Sequence, residues 1–488
     1  MSSTDDAAST PTVPDATRRA PHDQAFGSWV QTTLADGWDP EPEAPHPAHP
    51  GAAAAAAAHR ARLLAALPGR AVVVQSGTAP VRANDTVYGF RPASAYTWLT
   101  GDQAEGAVLL LAPDGTATIY LPPSAGPGTL TYVTDRREGA LWVGGVPSAA
   151  GTAARLQVDA RPRTELAAAL RAAGEVRVLG GIDPDLGPGD PELATTLARL
   201  RAVKDDWEVE RLAEACAATA RGFADVVREL PGLLAGDGRR GERWLEGTFW
   251  RRARLEGNDV GYSSIVAAGS HGTSLHWAPV DGDIRAGQLL LADMGVETTS
   301  LYTADVTRTF PVDGTWTPVQ RRVHGAVREA HRAGISEVRA GRPFLAAHHA
   351  AQWVLADHLH RWGLITWTAD DALHEDLARP GAGAHRRYTL HSTSHLLGLD
   401  VHDCAALDGS EYLATVLEPG HSLTVEPGLY FQVNDRTVPD ELRGVAVRLE
   451  DDLVVTDGAA RVLSDALPTD ADELTAWMAD AQAQPLGR

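Results

Sequence analysis

The chain has 488 residues, of which 44% are hydrophobic and 22% charged, and its formal net charge at pH 7 is -21. This composition is typical of globular proteins and supplies enough apolar side chains for a large core, while the length favours two domains. The negative charge repels phosphate backbones, so we expect no nucleic-acid partner.

The cysteine count and the hydropathy bear on the compartment. Cys216 and Cys404 are the only cysteines, which disfavours a disulfide framework and fits a reducing compartment. Cys404 follows a His-Asp pair, yet we interpret it as a small buried residue rather than a nucleophile or ligand. No apolar stretch is long enough to span a bilayer, and the first residues lack the hydrophobic segment of a signal peptide. We therefore expect a cytoplasmic protein without a membrane partner.

The first part of the chain alternates helix and strand patterns. Residues 1–50 are rich in Pro, Ala, Asp and His and predict an extended, partly disordered segment, interrupted by an amphipathic stretch at 26–38. An alanine-rich run then predicts a helix, and RAVVVQSG a buried strand. GAVLLLAPDGTATIYLPP predicts a hairpin that turns at Asp114 and Gly115. We predict an α/β domain at 51–198.

The second part mixes long helices with separate strands. Residues 204–230 carry apolar side chains at helical spacing and begin with acidic residues, which suit a helix N-terminus. Further helical patterns alternate with strand-like segments such as GQLLLADMG, ADVTRTFPV and HSLTVEPGLYF. The predicted fold class is α+β with two domains, the second at 199–475, followed by a tail at 476–488.

Four carboxylates interrupt the apolar strand patterns of this second domain. They are Asp293, Asp305, Glu426 and Glu450. An ionised carboxylate buried in such a strand is costly unless it meets a cation or N–H donors, or its pKa is raised. Four of them, in two hairpin-like pairs, favour a cation site, while hydrogen-bonded structural acids remain the alternative.

The stretch HSTSHLLGLDVHD adds imidazoles to this set. His395 with the four carboxylates makes an oxygen-rich ligand set with one nitrogen, which suits Mn²⁺ or a similar first-row ion. Two divalent ions would use all five ligands, and a hydroxide bridging them would be a nucleophile at neutral pH. On a strand His391 would face the same side as His395, and the same spacing also fits one helix face; the small polar and β-branched residues of HSTSH favour a strand or loop. A packed, hydrogen-bonded role is the alternative for each histidine, including His276.

These stretches resemble the creatinase/methionine aminopeptidase superfamily with its pita-bread fold, and within it the Xaa-Pro aminopeptidase (aminopeptidase P) family of M24B-type peptidases. The matching stretches are LHWAPVDGDIRAGQLLLADMG, ADVTRTFPVDG, HSTSHLLGLDVHD, LTVEPGLYF and VRLEDDLVVT. FRPASAYTWLTG, EGAVLLLAPDG and RREGALWVGG resemble the first domain of that family. The similarity spans roughly 60–470 and implies an N-terminal creatinase-like α/β domain and a C-terminal pita-bread catalytic domain.

The resemblance implies a dinuclear metal site and a set of catalytic residues around it. The implied metal ligands are Asp293, Asp305, His395, Glu426 and Glu450, with Asp305 bidentate and Glu450 bridging. The implied cofactors are two divalent ions, with Mn²⁺ expected and Co²⁺, Zn²⁺ or Fe²⁺ as alternatives. The implied catalytic residues are His276, His391, His402, Glu426 and Arg448.

Each of these catalytic residues has an implied role. Glu426 would take a proton from the attacking water and return it to the leaving nitrogen. His402 would hydrogen-bond the scissile carbonyl or the tetrahedral intermediate. His276 and His391 would shape the pocket on the proline side, and Arg448 would position the substrate. Asp400 and Asp403 would then provide structural or electrostatic support.

The implied activity is release of the N-terminal residue from peptides with proline in second position, by attack of a metal-bridging hydroxide. Prolidase, which cleaves only Xaa-Pro dipeptides, is the alternative, followed by a creatinase-like amidinohydrolase and a non-catalytic pita-bread binding protein. A homo-dimer or homo-tetramer is implied as well. Asp293 and Asp305 are one residue farther apart than is usual in the family, and we expect the turn in VETTSLYT to absorb the extra residue.

Overall fold

The structure of the chain is a computed structural model. The structure describes residues 27–39, 49–84, 86–123, 126–136, 139–145, 147–180, 186 and 188–485. The chain divides into two compact units, Met1–Leu197 and Ala198–Arg488. Most of the predicted N-terminal segment lies outside the described residues, and its described amphipathic stretch forms helix α1, Ser28–Ala35.

The first unit contains short helices and a mixed sheet, as the α/β prediction required. Its further helices are α2 (Ala52–Ala66), α3 (Ser94–Thr100), α4 (Leu130–Thr134), α5 (Ala140–Val143), α6 (Ala149–Leu156) and α7 (Leu166–Ala173), and α8 (Pro191–Ala202) runs through the unit boundary. Its strands are β1 (Ala71–Gln75), β2 (Val81–Ala83), β3 (Thr86–Val87), β4 (Val108–Leu111), β5 (Ala117–Leu121), β6 (Asp159–Pro162) and β7 (Val176–Val178).

The sheet of the first unit is built around a buried hairpin. Among the described residues, five strands form it in the order β6-β5-β4-β1-β7. Strands β4 and β5 pair antiparallel across the predicted turn, where Asp114 Oδ1 accepts a hydrogen bond of 2.9 Å from the Thr116 amide. Strand β1 is buried along its whole length because its side chains pack on both faces of the sheet.

The second unit contains the long helices and the remaining strands. Its helices are α9 (Asp206–Ala235), α10 (Gly241–Glu256), α11 (Pro318–Glu337), α12 (Leu345–Arg361), α13 (Ala369–Ala372), α14 (Gly409–Leu413) and α15 (Ala471–Ala483). Its strands are β8 (Gly257–Val260), β9 (Ile265–Ala268), β10 (Leu289–Met294), β11 (Val296–Thr298), β12 (Val306–Pro311), β13 (Ser422–Val425), β14 (Gly428–Tyr430), β15 (Ala446–Arg448), β16 (Asp451–Val454) and β17 (Arg461–Val462). No helix among the described residues is long and apolar enough to cross a lipid bilayer.

Local sequence signals determine where the long helices begin. Helix α9 begins with a capping box in which Asp205 and Glu208 satisfy each other's backbone N–H groups. Helix α11 begins with the same device, formed by Thr317 and Gln320, and carries Pro318 at its first position, where no N–H is needed.

Two predicted strand segments are broken, and each break carries a carboxylate. Glu426 and Pro427 separate β13 from β14, since Pro427 has no N–H for the ladder and the Glu426 amide donates instead to the Thr393 carbonyl at 2.8 Å. Glu450 lies between β15 and β16, and its amide donates to the Thr307 carbonyl at 3.0 Å. The chain changes partner at both points, and Glu450 then meets Thr307 of β12 while Glu426 lies beside His391 and His395.

The C-terminal residues differ from the prediction. The sequence predicts a second domain that ends at 475 and a tail at 476–488. Helix α15, however, continues to Ala483 and contacts α9. Arg228 Nε donates to the Ala481 carbonyl at 2.9 Å, and Gln482 Nε2 donates to the Val227 carbonyl at 3.2 Å. Burial of Met478 and Ala481 against α9 makes this segment part of the second unit.

Candidate metal centre

The first pair of carboxylates comes from the antiparallel strands β10 and β12. Asp293 lies on β10 directly opposite Thr307 of β12, and Asp305 immediately precedes β12. Both carboxylates are buried. The connection between the strands includes the sequence VETTSLYT, where Leu301 takes a left-handed conformation with φ of 69°. This strained turn lies where the extra residue was expected.

The remaining candidate ligands come from β13, the β15–β16 junction and the loop beside β13. The His395 carbonyl accepts from the Thr424 amide at 2.9 Å, and the His395 amide donates to Thr424 Oγ1 at 3.2 Å. Thr307 Oγ1 donates to Glu450 Oε2 at 2.6 Å. The stretch around His395 is a loop paired along β13, as the small polar residues of HSTSH predicted.

These contacts bring four of the five predicted ligands into one group. One side-chain ligand atom from each of Asp305, His395 and Glu450 lies within 4.8 Å of the other two. His395 Nε2 is 3.3 Å from Asp305 Oδ2 and 3.5 Å from Glu426 Oε1. Asp293 differs, because Tyr262 Oη donates to its Oδ1 at 2.6 Å and Arg448 Nη2 to its Oδ2 at 2.5 Å.

The buried negative charges of this group favour the binding of a cation. Burial, and then the negative charges of Asp305, Glu426 and Asp293, raise the pKa of Glu450 well above its usual value. Burial also raises the pKa of Asp293, against the charge of Arg448. Burial by itself lowers the pKa of His395, but the hydrogen bond to Asp305 and the charge of Glu426 outweigh burial. The pKa of His395 is therefore raised, to about 9. Divalent cations would relieve this excess negative charge, so the residues present fit a metal site.

A hydrogen-bonded chain connects this group with two further predicted residues. Arg448 Nη1 donates to Tyr430 Oη at 2.9 Å, and Tyr430 Oη lies 2.7 Å from His391 Nε2. The Ser392 carbonyl lies 2.8 Å from His391 Nδ1 and can only accept, so a neutral His391 carries its proton on Nδ1, which also lies 3.4 Å from Glu426 Oε2. His391 Nε2 then accepts the hydrogen bond that the Tyr430 hydroxyl donates.

The other predicted histidines lie at the exposed side of the group. The ring of His402 packs edge-on against that of His395, with 4.5 Å between ring centroids. Burial lowers the pKa of His402, and the charges of His395 and, more weakly, His276 lower it further. His276 itself is exposed. The structure therefore places His402 against His395, His391 beside Glu426, and His276 near enough to His402 to affect its pKa.

Four residues with direct contacts to the group were missed by the sequence analysis. They are Tyr262, Thr307, Tyr430 and Asp452. Asp452 Oδ2 accepts from the Asp305 amide at 2.9 Å and from Cys216 Sγ at 3.2 Å. Asp452 lies two residues after Glu450 in the strand pattern, so a second buried acid was a usable signal. The hydroxyl residues look like ordinary strand formers in the sequence.

The acidic residues after His395 have a structural role. Asp403 is buried and accepts from Arg201 Nη2 at 2.5 Å and from Lys204 Nζ at 3.0 Å. Asp400 accepts from the same arginine at 2.8 Å. Cys404 is buried too, and burial raises the pKa of its thiol to about 12, which disfavours a nucleophile.

Comparisons with known proteins agree with this geometry. The family model "Metallopeptidase family M24" matches residues 210–457, and "Aminopeptidase P, N-terminal domain" matches residues 56–178. The chain is 48% identical over 465 residues to Xaa-Pro aminopeptidase 2 of Streptomyces coelicolor, covering 92% of this chain and 94% of that protein. It is 31% identical to Xaa-Pro aminopeptidase of Escherichia coli over 58% of this chain and 61% of that protein.

Solved structures are similar over most of the chain. Pseudomonas aeruginosa aminopeptidase PepP matches with a TM-score of 0.77 and 27% identity, covering 88% of this chain and 99% of that one. Aminopeptidase P from E. coli with the inhibitor Pro-Leu matches with a TM-score of 0.76 and 25% identity, with the same coverage.

Proposed function

The chain belongs to metallopeptidase family M24, and we therefore infer that it is a metal-dependent aminopeptidase. It would remove the N-terminal residue from peptides with proline in second position. It is a hydrolase with an aminopeptidase P fold, an N-terminal domain of that family and a C-terminal pita-bread domain. The observation that supports this inference most directly is the group of mutually repelling buried carboxylates with His395 at its centre.

We assign the metal site to Asp293, Asp305, His395, Glu426 and Glu450. Two divalent ions held there, with Mn²⁺ as the proposed metal, would supply Lewis acidity and lower the pKa of a water molecule. The oxygen-rich donor set with a single imidazole supports this assignment. Tyr262 and Arg448 donate to the Asp293 carboxylate and would hold it in place. A bound ion would share the carboxylate oxygens with them.

Side chains of the protein transfer the proton and contact the substrate. We assign to Glu426 the transfer of a proton from the attacking water to the leaving proline nitrogen. That nitrogen belongs to a tertiary amide and carries no N–H of its own, so it must receive a proton to leave. His391, which carries its proton on Nδ1 toward Glu426, supports this role. We assign to His402 stabilisation of the developing oxyanion, and to His276 contacts with the proline side.

The rest of the assignment concerns the chain as a whole. We propose a cytoplasmic homo-dimer or homo-tetramer. The absence of a disulfide framework supports the compartment, and the family resemblance supports the assembly. Size-exclusion chromatography with light scattering tests the assembly directly.

The assay that tests the activity compares Ala-Pro-Ala with the dipeptide Ala-Pro, on protein treated with a chelator and then on the same protein with Mn²⁺ restored. We expect Mn²⁺-dependent release of alanine from the tripeptide, with much weaker turnover of the dipeptide. Strong turnover of the dipeptide alone would instead identify a prolidase. Elemental analysis should find two divalent ions per chain after Mn²⁺ supply, and a metal-free active protein would overturn the proposal.

A further inference from the structure

A cavity of about 260 Å³ opens beside His391 in the second unit. It lies between helix α12, the residues that follow α13, the 3-10 helix Ala384–Arg387 and the strand-like stretch up to Ser392. The side chains with basic or imidazole groups that line it are His348, His349, His374, His385, Arg386 and His391. None of the described residues that line this histidine cavity is an aspartate or a glutamate.

Arg386 gives the histidine cavity its fixed positive charge. It is exposed, and its guanidinium has no ion pair among the described residues, whereas its neighbour Arg387 pairs with Asp435 at 2.7 Å. Burial lowers the pKa of His348 to about 4, and the charges of neighbouring imidazoles and of Arg386 contribute. Burial and Arg386 lower the pKa of His385 as well. Both imidazoles are therefore neutral near pH 7, where they can donate one N–H each.

Two buried polar atoms in the wall lack a partner. They are His385 Nδ1 and Gln352 Oε1, in residues only 8% and 2% exposed. Buried polar atoms are nearly always hydrogen-bonded in folded proteins, so unpartnered ones in a cavity wall indicate that something polar occupies the cavity. Gln352 Oε1 can only accept, so its partner would be a donor such as a peptide N–H and not a carboxylate oxygen. A metal ion fits less well, because among the described residues no three ligand atoms of this wall meet the 4.8 Å spacing found at Asp305, His395 and Glu450.

The histidine cavity adjoins the reaction site through a single side chain. His391 lines the cavity, and its ring nitrogens also contact Tyr430 and approach Glu426. A residue of extended peptide spans about 3.3 to 3.6 Å. Because His391 belongs to both places, the chain that follows the proline of a bound substrate would enter the cavity beside this residue.

We propose that the histidine cavity is a subsite for the C-terminal carboxylate of short peptide substrates, held by Arg386 and by imidazole N–H groups. This inference rests on the proposed Xaa-Pro aminopeptidase function and adds a preference for peptides that end soon after proline. A carboxylate carries one negative charge and two acceptor oxygens, which matches one guanidinium surrounded by neutral donors.

Three peptides test the subsite on the Mn²⁺-loaded full-length protein: Ala-Pro-Ala, its C-terminal amide, and Ala-Pro-Glu amide, which carries its carboxylate on the side chain. We expect kcat/KM for Ala-Pro-Ala to exceed that for its amide about tenfold, and Arg386→Gln to reduce this ratio to about twofold. His349→Gln, at an exposed imidazole of the same wall, should reduce the ratio as well. Arg387→Gln is the matched control and should keep the wild-type ratio.

The outcomes separate the subsite from the activity. If the wild type cleaves none of the three peptides, the proposed function is wrong, and the subsite inference that rests on it is wrong too. If the wild type cleaves Ala-Pro-Ala and its amide equally well, or if Arg386→Gln and Arg387→Gln give the same ratio, the subsite is overturned while the activity stands. Preference for Ala-Pro-Glu amide over Ala-Pro-Ala would overturn the assignment to the C-terminus.

Discussion

Tyr430 shows how much one hydroxyl contributes at this site. It accepts a hydrogen bond from Arg448 and donates one to His391, and burial raises its pKa to about 12, so it keeps its proton near neutral pH. Without this hydroxyl, Arg448 Nη1 and His391 Nε2 would both lose a partner in a buried setting. The Ser392 carbonyl keeps the His391 proton on Nδ1, while the Tyr430 hydroxyl occupies Nε2 on the other side of the ring.

We predict that Tyr430→Phe lowers kcat/KM for Ala-Pro-Ala about tenfold, because His391 Nε2 and Arg448 Nη1 lose the hydroxyl that they share; this corresponds to about 1.4 kcal/mol of transition-state stabilisation. Steady-state kinetics between pH 6 and 9 measure it, and the pH profile of the variant should differ in shape from that of the wild type. Tyr388→Phe is the matched control, since the Tyr388 hydroxyl makes only a 3.4 Å bond to the Leu364 carbonyl. Equal losses in the two variants would show a general packing effect.

At the scale of elements, the loop that carries His402 is held by the junction between α8 and α9. Lys204, the one lysine of the sequence, is buried and pairs with Asp403, which also receives Arg201. Gly398 belongs to the same contact, because a Cβ there would lie 2.2 Å from Asp403 Oδ2. The Gly398 carbonyl in turn accepts from the Thr303 amide at 3.1 Å, close to the candidate ligand Asp305.

We predict that Lys204→Met lowers the free energy of unfolding of the second unit by about 3 kcal/mol, because a buried carboxylate loses one of its two cations. Urea unfolding followed by tryptophan fluorescence measures the change. Arg199→Gln is the control on the neighbouring helix α8, since the ion pair of Arg199 with Glu411 is exposed and should contribute little to stability. A loss in Lys204→Met no larger than that in Arg199→Gln would show that Arg201 alone satisfies Asp403.

Strand breaks are the other feature at this scale. Glu426 and Glu450 lie just after the ends of β13 and β15. Their carboxylates are therefore not fixed to one face of a sheet. The pattern of apolar residues predicted the strands around them, but the breaks depend on hydrogen bonds to Thr393 and Thr307 from elsewhere in the chain. A sequence window contains only covalent neighbours, so it cannot reveal this exchange of partners.

For the whole molecule, a bound cation should stabilise the second unit in particular. Its carboxylates come from two separate hairpin regions, and their mutual repulsion opposes folding until positive charge arrives. A ligand that binds only the folded state stabilises it by about 2.7 kcal/mol at 100 times its dissociation constant. The first unit contributes none of the proposed ligands.

We predict that Mn²⁺ at saturating concentration raises the melting temperature of the second unit by about 5 to 10 °C relative to chelator-treated protein. Differential scanning calorimetry measures the shift. His395→Ala should fold and should lose most of the shift, because a candidate ligand is missing. An equal shift in wild type and variant would place the stabilising ion elsewhere in the protein.

The sequence by itself determined the class of this protein and most of its elements. Helical spacing predicted the long helices such as α9, the Asp-Gly turn predicted the β4–β5 hairpin, and acids within apolar strands marked the candidate metal ligands. These signals are local, since they depend on side-chain periodicity and on the chemistry of a few adjacent residues.

Only the tertiary structure decided which groups meet. The bonds from Tyr262 and Arg448 to Asp293, the Tyr430 contact to His391, and the packing of α15 on α9 join residues far apart in the chain. The same holds for the histidine cavity, whose imidazoles come from α12 and from the residues that follow α13. Hydrogen bonds and desolvation depend on distance in space, which a linear pattern of residues does not contain.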